Sequence, residues 1–449
     1  MPTTSSANPL MEIRFHVPFR EIQPEHVQPA VHALLDAAKQ RVDAIATDTA
    51  EPTYANTLGA LEASTESLEF AMGIVGHLES VVTEPALREA YNAVQPPVAE
   101  FYSSIPMNAA LYARIKAFAA TAEAQELGPT KARLLKKTLD DFRRHGAELD
   151  EAGKKRLSEI NVELTTITTK FAQNVLDHMK EFEWVAAGES ELAGLPPSAI
   201  AAARQSAQAR NLEGWRFTLQ QPSLLPVMTY LDDAAIRERF YRAQNQVAVA
   251  EPYGNFALIE QIVHLRREKA TLLGYGNFAD LVLDDRMAHT GARAKEFLAE
   301  LEARSRDAFA REAAALQAFR DGLEAETSKP MAPWDVSYYA EKLRKAEFDF
   351  DEEALRPYFP LHRVLAGMFT LVQRLYGVTV TEAPNEDVWD PAVRFYEIRD
   401  EDGTHLGSFY ADWFPRENKR GGAWMNHFLT GGPAPEGFRP HLGLMCGNM

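Results

Sequence analysis

The sequence predicts a mainly α-helical protein with a small antiparallel sheet near its C-terminus, and three observations lead there. Apolar residues recur at three- and four-residue spacing through most of the chain up to Tyr376, the period of helices with one buried face. Asn and Asp stand ahead of several of these runs and Gly behind them, where helices begin and stop. Beyond Gly377 the pattern changes to three short apolar runs, 393–398, 406–413 and 441–446. They are separated by Asp-Gly, Gly-Gly and Gly-Pro, the punctuation of strands joined by turns.

Residues 24–47 make a first helix whose face is Val27, Val31, Leu34, Leu35, Ala38, Val42 and Ile45. A second begins near Asn56, a residue type suited to an N-cap, and carries Leu58, Leu61, Leu68, Met72, Val75 and Leu78. Pro85, Pro96-Pro97 and Pro106 are expected to divide the next stretch into short helices. The clearest stripe lies between 154 and 182: Leu157, Ile160, Leu164, Ile167, Phe171, Val175, Met179 and Phe182. Such a stripe resembles a coiled-coil seam or a cofactor groove, but core packing is the reading adopted, because burial of an apolar face is what stabilises most helices.

Residues 183–186 and 215–219 are expected to pair as a hairpin around a helix over 197–210. Asp232 and Asp233 stand near the start of a helix carrying Ile236, Phe240 and Tyr241. The next helix, 253–273, stops at Gly274 and leads to the run 277–283. A long, charged, Ala-rich helix follows over 292–323, then a polar surface loop at 326–330. Helices at 334–348 and 360–376 complete the helical part, and 378–381 opens the strand region.

A chain of 449 residues can hold two or three cores, since single cores stop growing at roughly 250 to 300 residues. Its 46% hydrophobic and 25% charged content is that of an ordinary folded protein. The net charge of −17 argues against nucleic acid or an anionic membrane as partner, because both need a positive footprint. One cysteine, Cys446, leaves no internal disulfide and fits a reducing compartment. With no secretory pattern at the start and no apolar run of about 18 residues, a cytoplasmic location is expected.

Chemistry is harder to find. None of the twelve histidines opens H-E-x-x-H or H-x-x-E-H, the helical arrangements that place two imidazoles on one metal. Glu260, His264 and Glu268 follow one another at four-residue spacing and could grip a cation. The plainer reading is a solvated face exchanging ion pairs with Arg267. No G-x-S-x-G singles out a serine, and Cys446 sits in an apolar run as a buried thiol. The pairs Gly421-Gly422 and Gly431-Gly432 lack a phosphate-loop frame and read as turns. Arg416, Lys419 and Arg420 could hold an anion or a peptide C-terminus, although a solvated turn is the first reading of such a cluster.

Three stretches carry a resemblance. GSFYADWFPRENKRGGAWM (407–425), REKATLLGYGNFADLVLDDRMA (267–288) and VRFYEIRDEDG (393–403) resemble the thimet oligopeptidase family of zinc metallopeptidases, and the first lies nearer its oligopeptidase A branch than its dipeptidyl carboxypeptidases. The resemblance implies a two-lobed, multi-helix, neurolysin/thimet-oligopeptidase-like body with a channel in which short unstructured peptides are cleaved. It implies a zinc ion held by the two His of H-E-x-x-H and a downstream Glu, with the motif Glu as general base.

Those ligands are not among these residues, so the chain is expected to be a truncated member with no catalytic or metal residue and no zinc of its own. On this reading 1–150 is an N-terminal helical lobe, 151–355 a central helical region with the hairpin, and 356–449 the start of the catalytic domain. The strand beside the family's zinc helix would offer Met445, Cys446, Gly447 and Asn448 as substrate-binding residues. The function implied is that of an oligopeptidase A-like endopeptidase of short peptides, inactive alone; the alternative is a non-catalytic peptide-binding or scaffold protein. Phe409, Trp413, Trp424, Phe428 and Leu444 are expected to lack part of their cover. The sheet is therefore expected to hold less firmly than 1–355 and to self-associate.

Overall fold

A computed structural model describes residues 8–324, 329–349, 352–434 and 437–449. The first part is a helical layer of α1 (Pro24–Thr47), α2 (Leu58–Val81), α3 (Pro85–Met107), α4 (Ala109–Ala119), α5 (Ala122–Gln125) and α6 (Pro129–Arg144). α1 has the bounds its periodicity predicts, and all seven residues of its predicted face are buried. α2 starts later than Asn56. The Asn56 side chain instead closes the preceding turn, its Oδ1 accepting from Thr53 N at 2.7 Å while Thr53 Oγ1 accepts from Asn56 N at 3.2 Å.

The prolines do not divide the next stretch: α3 runs on with Pro96, Pro97 and Pro106 inside it. An interior proline costs a helix about 3 kcal/mol. Leu87, Ala90, Val94, Val98 and Phe101 are buried along the same helix. At roughly 1.5 to 3 kcal/mol for each large apolar side chain, tertiary packing outweighs the broken ladder.

α7 (Glu151–Glu181) joins this layer to the centre of the molecule. Its stripe behaves as core only at first. Leu157 and Ile160 are buried, but further along the buried positions belong to Gln173 and Asn174, and the apolar residues are half-covered. Gln173 exchanges amide hydrogen bonds with Asn92, and Asn174 Nδ2 donates to Asn255 Oδ1 at 2.9 Å, while the Asn174 Oδ1 has no partner among the described residues.

The hairpin forms as expected: β1 (Glu183–Ala186) and β2 (Trp215–Thr218) pair antiparallel around α8 (Pro197–Ala209). With α9 (Gln221–Tyr230) and α10 (Ala234–Asn245) they enclose a second core of Trp184, Phe217, Val227 and Phe240. Asp233 caps α10 by accepting from the backbone of Ala235 and Ile236. Then come α11 (Phe256–Leu272), α12 (Phe278–Leu283), α13 (Gly291–Leu323), α14 (Val336–Phe348) and α15 (Leu361–Tyr376). Residues 326–328 of the expected polar loop lie outside the described residues. Gly377 ends α15 with φ +76, the left-handed conformation that favours glycine.

The C-terminal sheet has the order β3 (Thr379–Glu382), β4 (Arg394–Arg399), β5 (His405–Asp412), β9 (His441–Cys446), β6 (Trp424–Leu429), and beside it β7 (Gly432–Ala434) pairs with β8 (Gly437–Arg439). Every pair in the large sheet is antiparallel except β5–β9, so the sheet is mixed. One face of it, with Phe395, Tyr410, Phe428, Leu442, Leu444 and Cys446, belongs to the same core as the N-terminal helices.

This corrects the expectation of an uncovered sheet. Leu444 and Phe428 are buried against those helices, and Phe409 is buried by stacking on Tyr396 at 5.2 Å. Only Trp413 and Trp424 remain half-covered. The inner face of the sheet thus shares the main core with the N-terminal helices. Among the described residues no helix is long and apolar enough to cross a membrane.

Candidate functional site

The turn between β5 and β6 holds the basic cluster, and the structure overturns its reading as solvated for two of the three residues. The Lys419 side chain is fully buried; Nζ donates to Asp412 Oδ1 at 2.8 Å and approaches the carbonyls of Asp412, Phe414 and Gly447 at 2.9, 2.9 and 2.6 Å. Arg416 reaches the same carboxylate at 2.9 and 2.6 Å, and Trp389 Nε1 donates to it at 2.9 Å. A buried charge must be paired on all sides or it costs several kcal/mol. Burial pushes the Asp412 carboxyl up, but its three donors outweigh that and hold it below the usual carboxylate range. Burial lowers the Lys419 ammonium, against the pull of Asp412.

This ion cluster fixes the turn against α2. Thr83 N donates to Asn418 O and Arg420 N to Ser80 O. Between the turn, the second half of α7 and the start of α9 lies a cavity of about 430 Å³. Its apolar wall is Phe171, Val175, Leu176 and Met179 of α7, all half-buried, with Met179 also packed against the second core. Its polar side includes Lys180, Gln220, Glu417 and Asn448, with Gly421 and Gly422 at the turn. Gly422 has φ +91, a conformation strained for any residue with a Cβ.

Glu417 is held from the hairpin side. Arg216, almost wholly buried, donates to Glu417 at 2.8 Å and to Glu183 at 2.8 Å, and Arg210 also pairs with Glu417. Gln220 Nε2 donates to Arg416 O at 2.9 Å. The cavity walls are thus tied to each other by charge-assisted bonds, stronger than neutral ones.

Of the four residues expected to face substrate, Asn448 alone lines this cavity, its Nδ2 donating to the carbonyls of Arg420 and Gly422. Met445 packs with Tyr396 and Phe409 on the other face of β9. Cys446 is buried in the sheet, and burial pushes its thiol up to about 12. Gly447 accepts from Lys419 and donates to Asp412 O at 2.8 Å. Glu268 of the helical triplet is taken by Arg156 at 2.6 and 2.8 Å rather than by Arg267.

The zinc that the resemblance implies does not fit the residues of this chain. No histidine opens the required motif, and among the described residues no three His, Cys, Asp or Glu side chains converge. The residues that sequence reasoning missed are Lys180 and the Phe171, Val175 and Met179 wall. Half-burial is invisible to periodicity, which marks an apolar face without saying what covers it.

β6 stands at the edge of the sheet, paired with β9 on one side. Met425, Asn426 and His427 on it are exposed. The strand begins two residues after Gly422, so its open edge leads away from the cavity.

Two family models match the chain in succession: Neurolysin/Thimet oligopeptidase, N-terminal domain, over residues 31–154, and Peptidase family M3 over residues 227–449. Oligopeptidase A of Haemophilus influenzae is 36% identical over 430 residues, covering 94% of this chain and 62% of its own. That of Escherichia coli is 37% identical over 425 residues, covering 93% and 62%. Dipeptidyl carboxypeptidase of Escherichia coli is 32% identical over 414 residues, covering 92% and 60%. The chain therefore spans somewhat less than two thirds of the length of these relatives. With both models matched in order and this identity held over more than nine tenths of its residues, the chain belongs to peptidase family M3, with the neurolysin and thimet oligopeptidases.

Proposed function

We propose that this chain is the peptide-binding body of an oligopeptidase A-type peptidase, receiving short unstructured peptides along the outer edge of β6. The observation that carries this reading is the geometry of that edge. Among the described residues β6 pairs with β9 alone, which leaves its other edge open at the rim of a mixed sheet, and it starts beside a cavity with an apolar wall. An extended peptide adds to such an edge as one more strand: its main chain supplies affinity, and neighbouring pockets for side chains supply selectivity. Folded proteins have no free extended segment to offer, which restricts the occupants to short or unfolded chains.

Hydrolysis is not assigned to the side chains described above. The zinc ligands of the family do not map onto them, and Cys446 is a buried, protonated thiol. A reducing cytoplasm suits a protein whose single cysteine is free. The test uses the full 449-residue chain, a fluorescein-labelled nonapeptide and a quenched fluorescent peptide, with zinc and with chelator. Saturable anisotropy, competed by unlabelled short peptides, with no cleavage under either condition, is the expected result. Chelator-sensitive cleavage would show a hydrolytic centre in this chain, and the absence of any peptide binding would remove the reading.

A further inference from the structure

We infer that the cavity beside α7 receives the C-terminal residue of a peptide, with an apolar side chain against Phe171, Val175 and Met179 and the terminal carboxylate between Lys180 and Arg420. This assignment rests on the peptide-binding reading above and names which end of the peptide is held.

The charges around the cavity do not balance. Glu417 is neutralised by Arg210 and Arg216, and Asp412 by Arg416 and Lys419. Lys180 and Arg420 remain, and together with Arg88 these three cations face two carboxylates, Asp177 and Glu79, which leaves one positive charge in excess. Lys180 has Asp177 at 3.9 Å, but that carboxylate is already taken by Arg88 at 2.7 and 2.9 Å. Among the described residues no carboxylate lies within 4.0 Å of the Arg420 guanidinium, which rests over the Trp424 ring at 4.5 Å. Glu79, across the adjoining cavity of about 250 Å³ that Arg420 also lines, sits 3.6 Å from Arg88. Burial lowers the Lys180 ammonium and Arg88 adds to this, against the pull of Asp177 and Glu79.

Shape and direction agree with that charge. A volume of about 430 Å³ falls in the range of small-ligand pockets, which combine an apolar lining with a few polar groups that fix orientation. A peptide lying antiparallel to β6 runs from the Leu429 end to the Trp424 end. It therefore brings its C-terminus, not its N-terminus, to Gly421, Gly422 and Asn448 at the cavity. The N-terminal ammonium of a parallel peptide would meet Lys180 and Arg420 and be repelled.

A fatty acid has the same pairing of apolar body and carboxylate, so the experiment separates the two. An N-acetylated hexapeptide ending in leucine is titrated calorimetrically into the full chain as the free acid, as the C-terminal amide, and with glycine in place of the leucine. The acid is expected to bind at least tenfold more tightly than the amide or the glycine peptide. Lys180→Met and Arg420→Met together should bring the acid down to the level of the amide, and Val175→Trp should weaken the leucine peptide while leaving the glycine peptide unchanged. Both cations line the cavity and are solvent-exposed, and circular dichroism is the check that the variants fold.

Equal affinity for acid and amide, or an acid preference untouched by the double substitution, overturns the assignment while leaving peptide binding at β6 intact. Loss of all peptide binding overturns both. Decanoate competing with the acid as strongly as the peptide competes with itself would overturn the peptide as occupant.

Discussion

Lys419 and Asp412 form an ion pair at 2.8 Å with both side chains shut off from solvent, and the turn that leads into β6 is built around it. Breaking a buried pair by removing one partner costs about 3 to 5 kcal/mol, because the other charge is left without its counter-charge. Lys419→Met is therefore expected to lower the urea midpoint strongly, even though Arg416 and Trp389 still reach Asp412. Lys419→Met with Asp412→Asn should recover part of the loss. A single substitution costing less than about 1 kcal/mol, the scale of an exposed pair, would show that this turn does not depend on the pair.

That pair also shows where sequence reading reaches its limit. The bounds of α1, the Asp233 cap, the Gly377 stop and the β1–β2 hairpin follow from local spacing and capping, and the structure has them all. Lys419 reads as solvated because its partners are remote. Asp412 is on the preceding strand, Gly447 beyond the end of β9, and Val81, which accepts from Arg416, at the end of α2. The same holds for α3, whose prolines argue locally for a break while α1 and α7 pack along it and hold it as one helix. It holds again for Phe171, Val175 and Met179: spacing marks them as an apolar face, but only the arrangement of the turn and the hairpin decides that a cavity lies over them. β6 escaped notice because Asn426 and His427 interrupt its apolar pattern.

His77 predicts an acid-sensitive fold. Its ring is buried on α2 and packs edge-on against Trp389 at 4.2 Å and Phe428 at 5.5 Å, with both nitrogens lacking a hydrogen-bond partner among the described residues. Burial first, then the positive charges of Arg416, Lys419 and Arg420, lower its folded pKa to about 3 against a partial opposing pull from Asp412. The unfolded chain thus takes up this proton near its ordinary value of about 6.5 and the folded chain far below it. Stability is fully present above that ordinary value and is lost as the pH falls from there towards about 3. At about 1.4 kcal/mol per pH unit, moving from pH 7 to pH 5 should remove about 2 kcal/mol through this residue. His77→Phe should flatten that part of the profile in urea titrations at the two pH values. An unchanged slope in the variant would assign the acid sensitivity elsewhere.

The open edge of β6 makes self-association the last expected behaviour, and it is linked to peptide binding. Met425 stands three-quarters exposed on that edge, and next to it the Asn426 Oδ1 accepts from His427 N at 2.9 Å. Unpaired, apolar edges join one another unless a charge or a proline prevents it. Sedimentation velocity on the wild-type chain should therefore show dimers growing with protein concentration, and Met425→Lys should return the chain to monomer without lowering its urea midpoint. Asn426→Ala, by freeing the His427 N–H, should strengthen association. A short peptide that binds β6 must compete for the same donors and acceptors, so saturating peptide should dissolve the dimers as Met425→Lys does. Dimers that persist under saturating peptide would place the contact on another surface, with the exposed apolar residues Phe297, Leu298 and Phe309 of α13 as the next to substitute.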